Sequence, residues 1–103
     1  MGAGQIRLTS QTLKVVGALM SPARGEVSGA EIGRATGLAT GTLYPILFRL
    51  EKAGWAESRW EAEEPQELGR PRRRLYLITG AGARSYKSAI HDLALPLKEL
   101  AWL

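Results

Sequence analysis

Apolar residues recur along this chain first with a helical period and later with a strand period. Leu13, Val16, Leu19 and Met20, widened by Val15, share one helical face, so the spacing predicts an amphipathic helix through about Met20. Thr9 or Ser10 supplies its N-cap, and Ser21-Pro22 stops it, because proline disfavours helix at the residue before it. Residues 1 to 7 read as a lead-in and Ala23 to Val27 as a connector in which Val27 can be extended. Ser28-Gly29-Ala30-Glu31 has the form of a capping box. It predicts a short helix to about Thr36 that buries Ile32 and Ala35 and stops at Gly37. After a turn at Leu38-Ala39-Thr40, residues Leu43, Ile46, Leu47 and Leu50 fall at i, i+3, i+4 and i+7 and predict a third helix of about three turns. Pro45 places its start near Gly41 or Thr42, since proline fits a helix in its first turn, and Gly54 ends it.

The period then changes to two. Trp55, Glu57 and Arg59 alternate with Ala56, Ser58 and Trp60, which predicts a strand. Glu61 to Gly69 is polar, contains Pro65 and reads as a loop. Arg72 to Ile78 is the return strand, with Arg74, Tyr76 and Ile78 on one face and Arg73, Leu75 and Leu77 on the other. Thr79 can cap a last helix, although Gly80 and Gly82 weaken its first turn by roughly 1 kcal/mol each relative to alanine. From there Ala83, Tyr86, Ile90, Leu93, Leu97 and Leu100 form a seam with alternating spacings of three and four, the pattern of a coiled-coil interface. Pro96 predicts a kink or break within it.

Composition narrows the function classes. The 103 residues suit one unit with one core, organised as a head over residues 1–78 and a last helix over 79–103. No apolar run reaches the length of a membrane span, and Met1-Gly2-Ala3-Gly4-Gln5 lacks the pattern of a secretion signal. There is no cysteine, and His91 is the only histidine. No disulfide framework, metal site or cofactor is expected, and the cysteine usage fits a reducing cytoplasm. No nucleophile–base pair or phosphate loop is visible, so the chain does not read as an enzyme. The formal net charge of +4 points to nucleic acid. Its distribution sharpens that: Glu61, Glu63, Glu64 and Glu67 precede a run of Arg70, Arg72, Arg73 and Arg74.

The predicted order is helix, helix, turn, helix, strand, basic loop, strand, long helix. That is a mainly α, α+β architecture: a winged helix-turn-helix with a small β-hairpin as its wing and a C-terminal dimerisation helix. Candidate DNA-binding residues are Thr40, Thr42, Tyr44, Pro45 and Arg49 on the third helix and Arg70, Arg72, Arg73 and Arg74 on the wing. Phosphate neutralisation by the arginines supplies affinity, and a few side chains at base edges supply specificity. Gly69-Arg70-Pro71 also suits insertion into a minor groove. Tyr86, Ile90, Leu93, Leu97 and Leu100 are the candidate dimer interface, while Tyr86, Trp55 and Trp102 are candidates to line an effector pocket or simply to pack.

Gly41-Thr42-Leu43-Tyr44-Pro45, followed by Leu47, Arg49-Leu50-Glu51 and Gly54, resembles the recognition-helix signature of PadR-type transcriptional regulators. Trp60-Glu61, Gly69-Arg70-Pro71-Arg72 and Tyr76-Leu77-Ile78-Thr79-Gly80-Ala81-Gly82 resemble that family's wing and the start of its last helix. The resemblance covers roughly residues 9 to 103. It implies a bacterial-type regulator, usually a repressor, of the family's shorter branch, with Thr42, Tyr44 and Pro45 at the DNA surface. It also implies a homodimer joined through the C-terminal helix and, in some members, a small aromatic effector between the dimerising helices. Ala30 stands where the family often has Tyr, and Gly80 where it often has Glu. Two other classes fit the same residues: a winged-helix module that binds an acidic protein partner without specific DNA contact, and a ligand-binding dimer without regulatory DNA contact.

Overall fold

The computed structural model describes residues 6–21 and 25–100, with side chains to residue 94. Helix α1 (Ser10–Met20) starts where Thr9 accepts a hydrogen bond from the Thr12 amide at 3.1 Å. It buries Val15, Val16 and Leu19. Pro22 and Ala23 of the sequence-predicted stop and connector lie outside the described residues. Strand β1 (Val27–Ser28) leads directly into α2 (Gly29–Thr36). Ser28 is the N-cap of α2: its Oγ accepts from the Glu31 amide at 3.2 Å and donates to Glu31 Oε1 at 3.3 Å. Gly37 closes α2 in the left-handed region at φ 73°, a conformation that a β-carbon disfavours. Ile32 is buried as expected, but Ala35 is exposed. An eight-residue helix has one inward stripe, and Ile32 with the half-buried Thr36 occupies it.

Helix α3 (Thr40–Lys52) differs from expectation at its start. Ala39 is the N-cap and accepts from the amides of Thr42 and Leu43 at 3.0 and 2.9 Å. Pro45 is therefore the sixth helical residue, not part of the first turn. It cannot donate to the Gly41 carbonyl, an arrangement that costs roughly 3 kcal/mol in a helix interior. Leu43, Ile46, Leu47 and Leu50, all at most 3% exposed, outweigh it. Each contributes roughly 1.5–3 kcal/mol by burial.

Strand β2 (Ala56–Trp60) and β3 (Arg74–Ile78) pair antiparallel, with Ala56 opposite Ile78 and Trp60 opposite Arg74. The sheet has a third strand: β1 pairs with the other edge of β3, Val27 opposite Tyr76. The polar stretch between β2 and β3 is not all loop, because Pro65–Leu68 forms the single-turn helix α4. Proline at its start and Gly69 at its end, in the left-handed region, supply the helix signals at both ends. Trp55 and Tyr76 close the core from the sheet side.

Helix α5 (Gly80–Leu100) runs through Pro96 as one helix, so of the kink or break expected there the break is absent. Thr79 caps it, accepting from the Gly82 amide at 2.9 Å, and its own hydroxyl donates to the Gly54 carbonyl at 2.7 Å. Gly82 sits on the backbone of Trp55, where any β-carbon would strike the Trp55 carbonyl. The glycine that weakens this helix in isolation is the residue that lets it dock. None of the described helices is long and apolar enough to cross a membrane.

Candidate nucleic-acid interface

The inward stripe of α3 fixes what its other side presents. Thr40, Gly41, Tyr44, Pro45, Phe48, Arg49 and Lys52 are exposed, and Thr42 is half-buried. Neither Arg49 nor Lys52 has a carboxylate partner among the described residues; Lys52 Nζ instead lies over the Phe48 ring, 5.7 Å from its centroid. No side chain caps the N-terminus of α3, so the positive end of the helix dipole faces outward with Thr40. Tyr44 lies across Gly29 at the start of α2, so close that a β-carbon at Gly29 would strike its hydroxyl. Gly29 thus lets the first turn of α2 pack against Tyr44 of α3, a role that capping logic alone did not reveal.

A groove of about 420 Å³ runs from the start of α2 (Ser28, Gly29, Ala30) past Tyr44 to the wing residues Trp60, Arg72, Arg73 and Arg74. Its wing side is less basic than the four arginines suggest. Arg70 forms a two-pronged pair with Glu61, its Nη1 and Nη2 donating to Oε1 and Oε2 at 2.6 and 3.0 Å. It also donates to the carbonyl of Pro71. The Arg73 amide donates to the same Glu61 carboxylate at 2.8 Å. Arg72 donates to the Glu63 carbonyl and pairs with Glu64 at 2.9 Å. Arg74 donates to Ser58, stacks on Trp60 at 5.2 Å and reaches towards Glu51. The guanidinium of Arg73 alone among the four has no partner among the described residues.

These contacts leave a mark on the titrating groups. The Arg70 fork, followed by the Arg73 amide, holds the Glu61 carboxyl down at about 2. Glu61 raises Arg70 in turn. Beneath the groove, burial pushes the Tyr76 phenol up, with the Glu51 charge acting in the same direction.

The sequence-predicted residues therefore divide between α3 and the wing. Tyr44, Pro45 and Arg49 are exposed on the side of α3 away from its buried stripe, and Thr40 is exposed at its N-terminus. Arg72, Arg73 and Arg74 line the same groove as Tyr44, although Arg74 is also held by Ser58 and Trp60, and Arg70 is paired with Glu61 within the wing. Phe48 was not singled out from the sequence, although it falls outside the i, i+3, i+4, i+7 stripe and its exposure follows from that spacing. In the candidate pocket, Trp55 is a core residue at 5% exposure, and Tyr86 packs on that core beside Gly17 of α1. Both side chains pack where α5 docks on the head. On the predicted seam Ile90 and Leu93 are exposed. The side chains of Leu97 and Leu100, and all of Trp102, lie outside the described residues.

Solved structures of similar shape include transcriptional regulators. A PadR family transcription regulator from Clostridium difficile R20291 superposes with a TM-score of 0.74 at 21% identity, covering 91% of this chain and 97% of that one. A PadR family regulator from Eggerthella lenta gives 0.71 at 20% identity, covering 89% and 79%. Bacillus subtilis PadR, solved in complex with operator DNA, gives 0.62 at 18% identity, covering 77% of this chain and 45% of that one. No curated protein matches the sequence significantly. The family model described as "Transcriptional regulator PadR-like family" matches residues 29–88, which run from the start of α2 into α5. That span takes in α3, the wing and the docking glycine, and it is more than half of the sequence: the chain belongs to the PadR-like family of transcriptional regulators, not to a family of enzymes.

Proposed function

We propose that this protein is a cytoplasmic repressor that binds double-stranded DNA as a homodimer. In this reading α3 enters the major groove and the wing lies alongside, with Arg73 on a phosphate. The observation that carries it is the outer face of α3. That face is exposed, holds no acidic side chain, and its Arg49 and Lys52 are left without a carboxylate partner among the described residues. Gly41 supports it. A β-carbon there would meet open space, and the residue has no positive φ, so neither packing nor backbone requires glycine. In a helix it costs roughly 1 kcal/mol relative to alanine, and close approach of a DNA backbone is a reason to keep it. Ile90 and Leu93, exposed along α5, are the described part of the dimer seam in this proposal. Two-fold symmetry then sets the operator: a rough palindrome with half-sites about one helical turn, roughly 10 bp, or a multiple of it apart. Repression follows from excluding polymerase. A small aromatic effector along the seam would relieve it by binding two arrangements of the heads unequally. Selection of bound sequences from a random duplex pool tests the reading. An enriched palindrome with that spacing is expected, and a pool that never enriches would overturn it.

A further inference from the structure

Phe48 is 64% exposed, more than any other large apolar side chain among the described residues. A single exposed apolar residue needs no explanation by itself. This one is not isolated. It follows the exposed Pro45 by three positions and Tyr44 by four, so the three stand together on the outer face of α3. Arg49 is next in sequence, and Lys52 covers the ring. An apolar centre within a cationic rim with no acidic side chain matches a polyanion that has an apolar group inside its groove. In the major groove of duplex DNA the bases present hydrogen-bond donors and acceptors and one apolar group, the thymine C5-methyl. The phenyl ring has no conventional hydrogen-bonding group to offer a base edge, so its contribution there is methyl contact.

We propose that Phe48 is a specificity-determining residue that reads a thymine C5-methyl group, on the strength of its exposure between Pro45 and the cations Arg49 and Lys52, neither of which has a carboxylate partner among the described residues. This rests on the DNA-binding reading above. It gives the recognition helix a preference for thymine over cytosine at one or more positions of each half-site.

The test uses the full chain and the sequence enriched from the random pool. Each thymine is replaced in turn by deoxyuridine, which keeps base pairing and removes only the methyl group. The wild type is expected to lose about fourfold in affinity at one or more thymines of each half-site, the equivalent of one buried methyl group. Phe48→Ala, at an exposed helical position where alanine is the better helix former, is expected to bind thymine and deoxyuridine sites equally. A wild type indifferent to every replacement, or a Phe48→Ala protein that keeps the wild-type sensitivity, would overturn this inference alone. A pool that yields no bound DNA would overturn the DNA-binding reading and this inference with it.

Discussion

Two regions of this molecule are basic by composition, and they are built on opposite plans. The outer face of α3 has few cations, and they are unpaired: Arg49 and Lys52 meet no carboxylate among the described residues. The wing has four arginines in five residues, yet three of them are spent on the wing itself. The supports differ as well. Four nearly inaccessible apolar residues hold α3 to the core. The wing tip beyond the β2–β3 ladder, including α4, buries no residue and is held by Glu61, Glu63 and Glu64 through hydrogen bonds and ion pairs. A count of basic residues therefore overstates the unpaired positive charge in one region and describes it fairly in the other.

The largest test of that contrast removes support from each side. Leu50→Ala should cost about 2–5 kcal/mol, a large share of the stability of a small domain, and should shift the urea midpoint accordingly. Glu61→Gln should shift that midpoint far less, because the part-buried Arg70–Glu61 pair lies in a wing tip that buries no residue of the core. Equal shifts would mean that the wing is as much a part of the core as α3. A smaller effect separates free from occupied arginines. Arg73→Gln should reduce the salt slope of DNA binding by about one unit, as expected for one lost phosphate contact. The double variant Glu61→Gln/Arg70→Gln, which keeps the net charge, should leave the slope unchanged. A double variant that lost as much as Arg73→Gln would show that Arg70 leaves Glu61 for the DNA.

The elements held by local or periodic signals were legible in the sequence. Thr9, Ser28, Gly37 and Thr79 mark the caps they form, and the stripe from Leu43 to Leu50 is the buried face of α3. What was not legible depends on contacts across the fold. Pro45 appeared to set the start of α3, but tertiary burial outweighed the local rule and the helix began at Thr40. β1 is two residues long and exists because β3 lies beside it. Gly82 looked like a poor helix start until the Trp55 backbone filled the space beside it. The neighbouring acidic and basic runs suggested a charged surface; that they face each other, Glu61 on Arg70, follows only once the hairpin folds. Phe48 was predictable as exposed from its spacing, but its pairing with Lys52 was not.

The smallest effect is the one that most directly reads the wing's internal pairing. Arg70, and after it the Arg73 amide, hold Glu61 at about 2, well below the ordinary glutamate value of about 4.3. The folded wing thus binds this proton less readily than the unfolded chain does. Its contribution to stability is complete above the ordinary glutamate range and fades as pH falls through that range towards 2. The carboxyl carbon of Glu61, followed by NMR against pH, should titrate near 2. In Arg70→Gln the midpoint should rise but stop short of the ordinary value, because the Arg73 amide still donates to the carboxylate. A wild-type midpoint in the ordinary range would show that Arg70 is not seated on Glu61 in solution. The wing would then present a second unpaired arginine, and its difference from α3 would be one of position rather than of available charge.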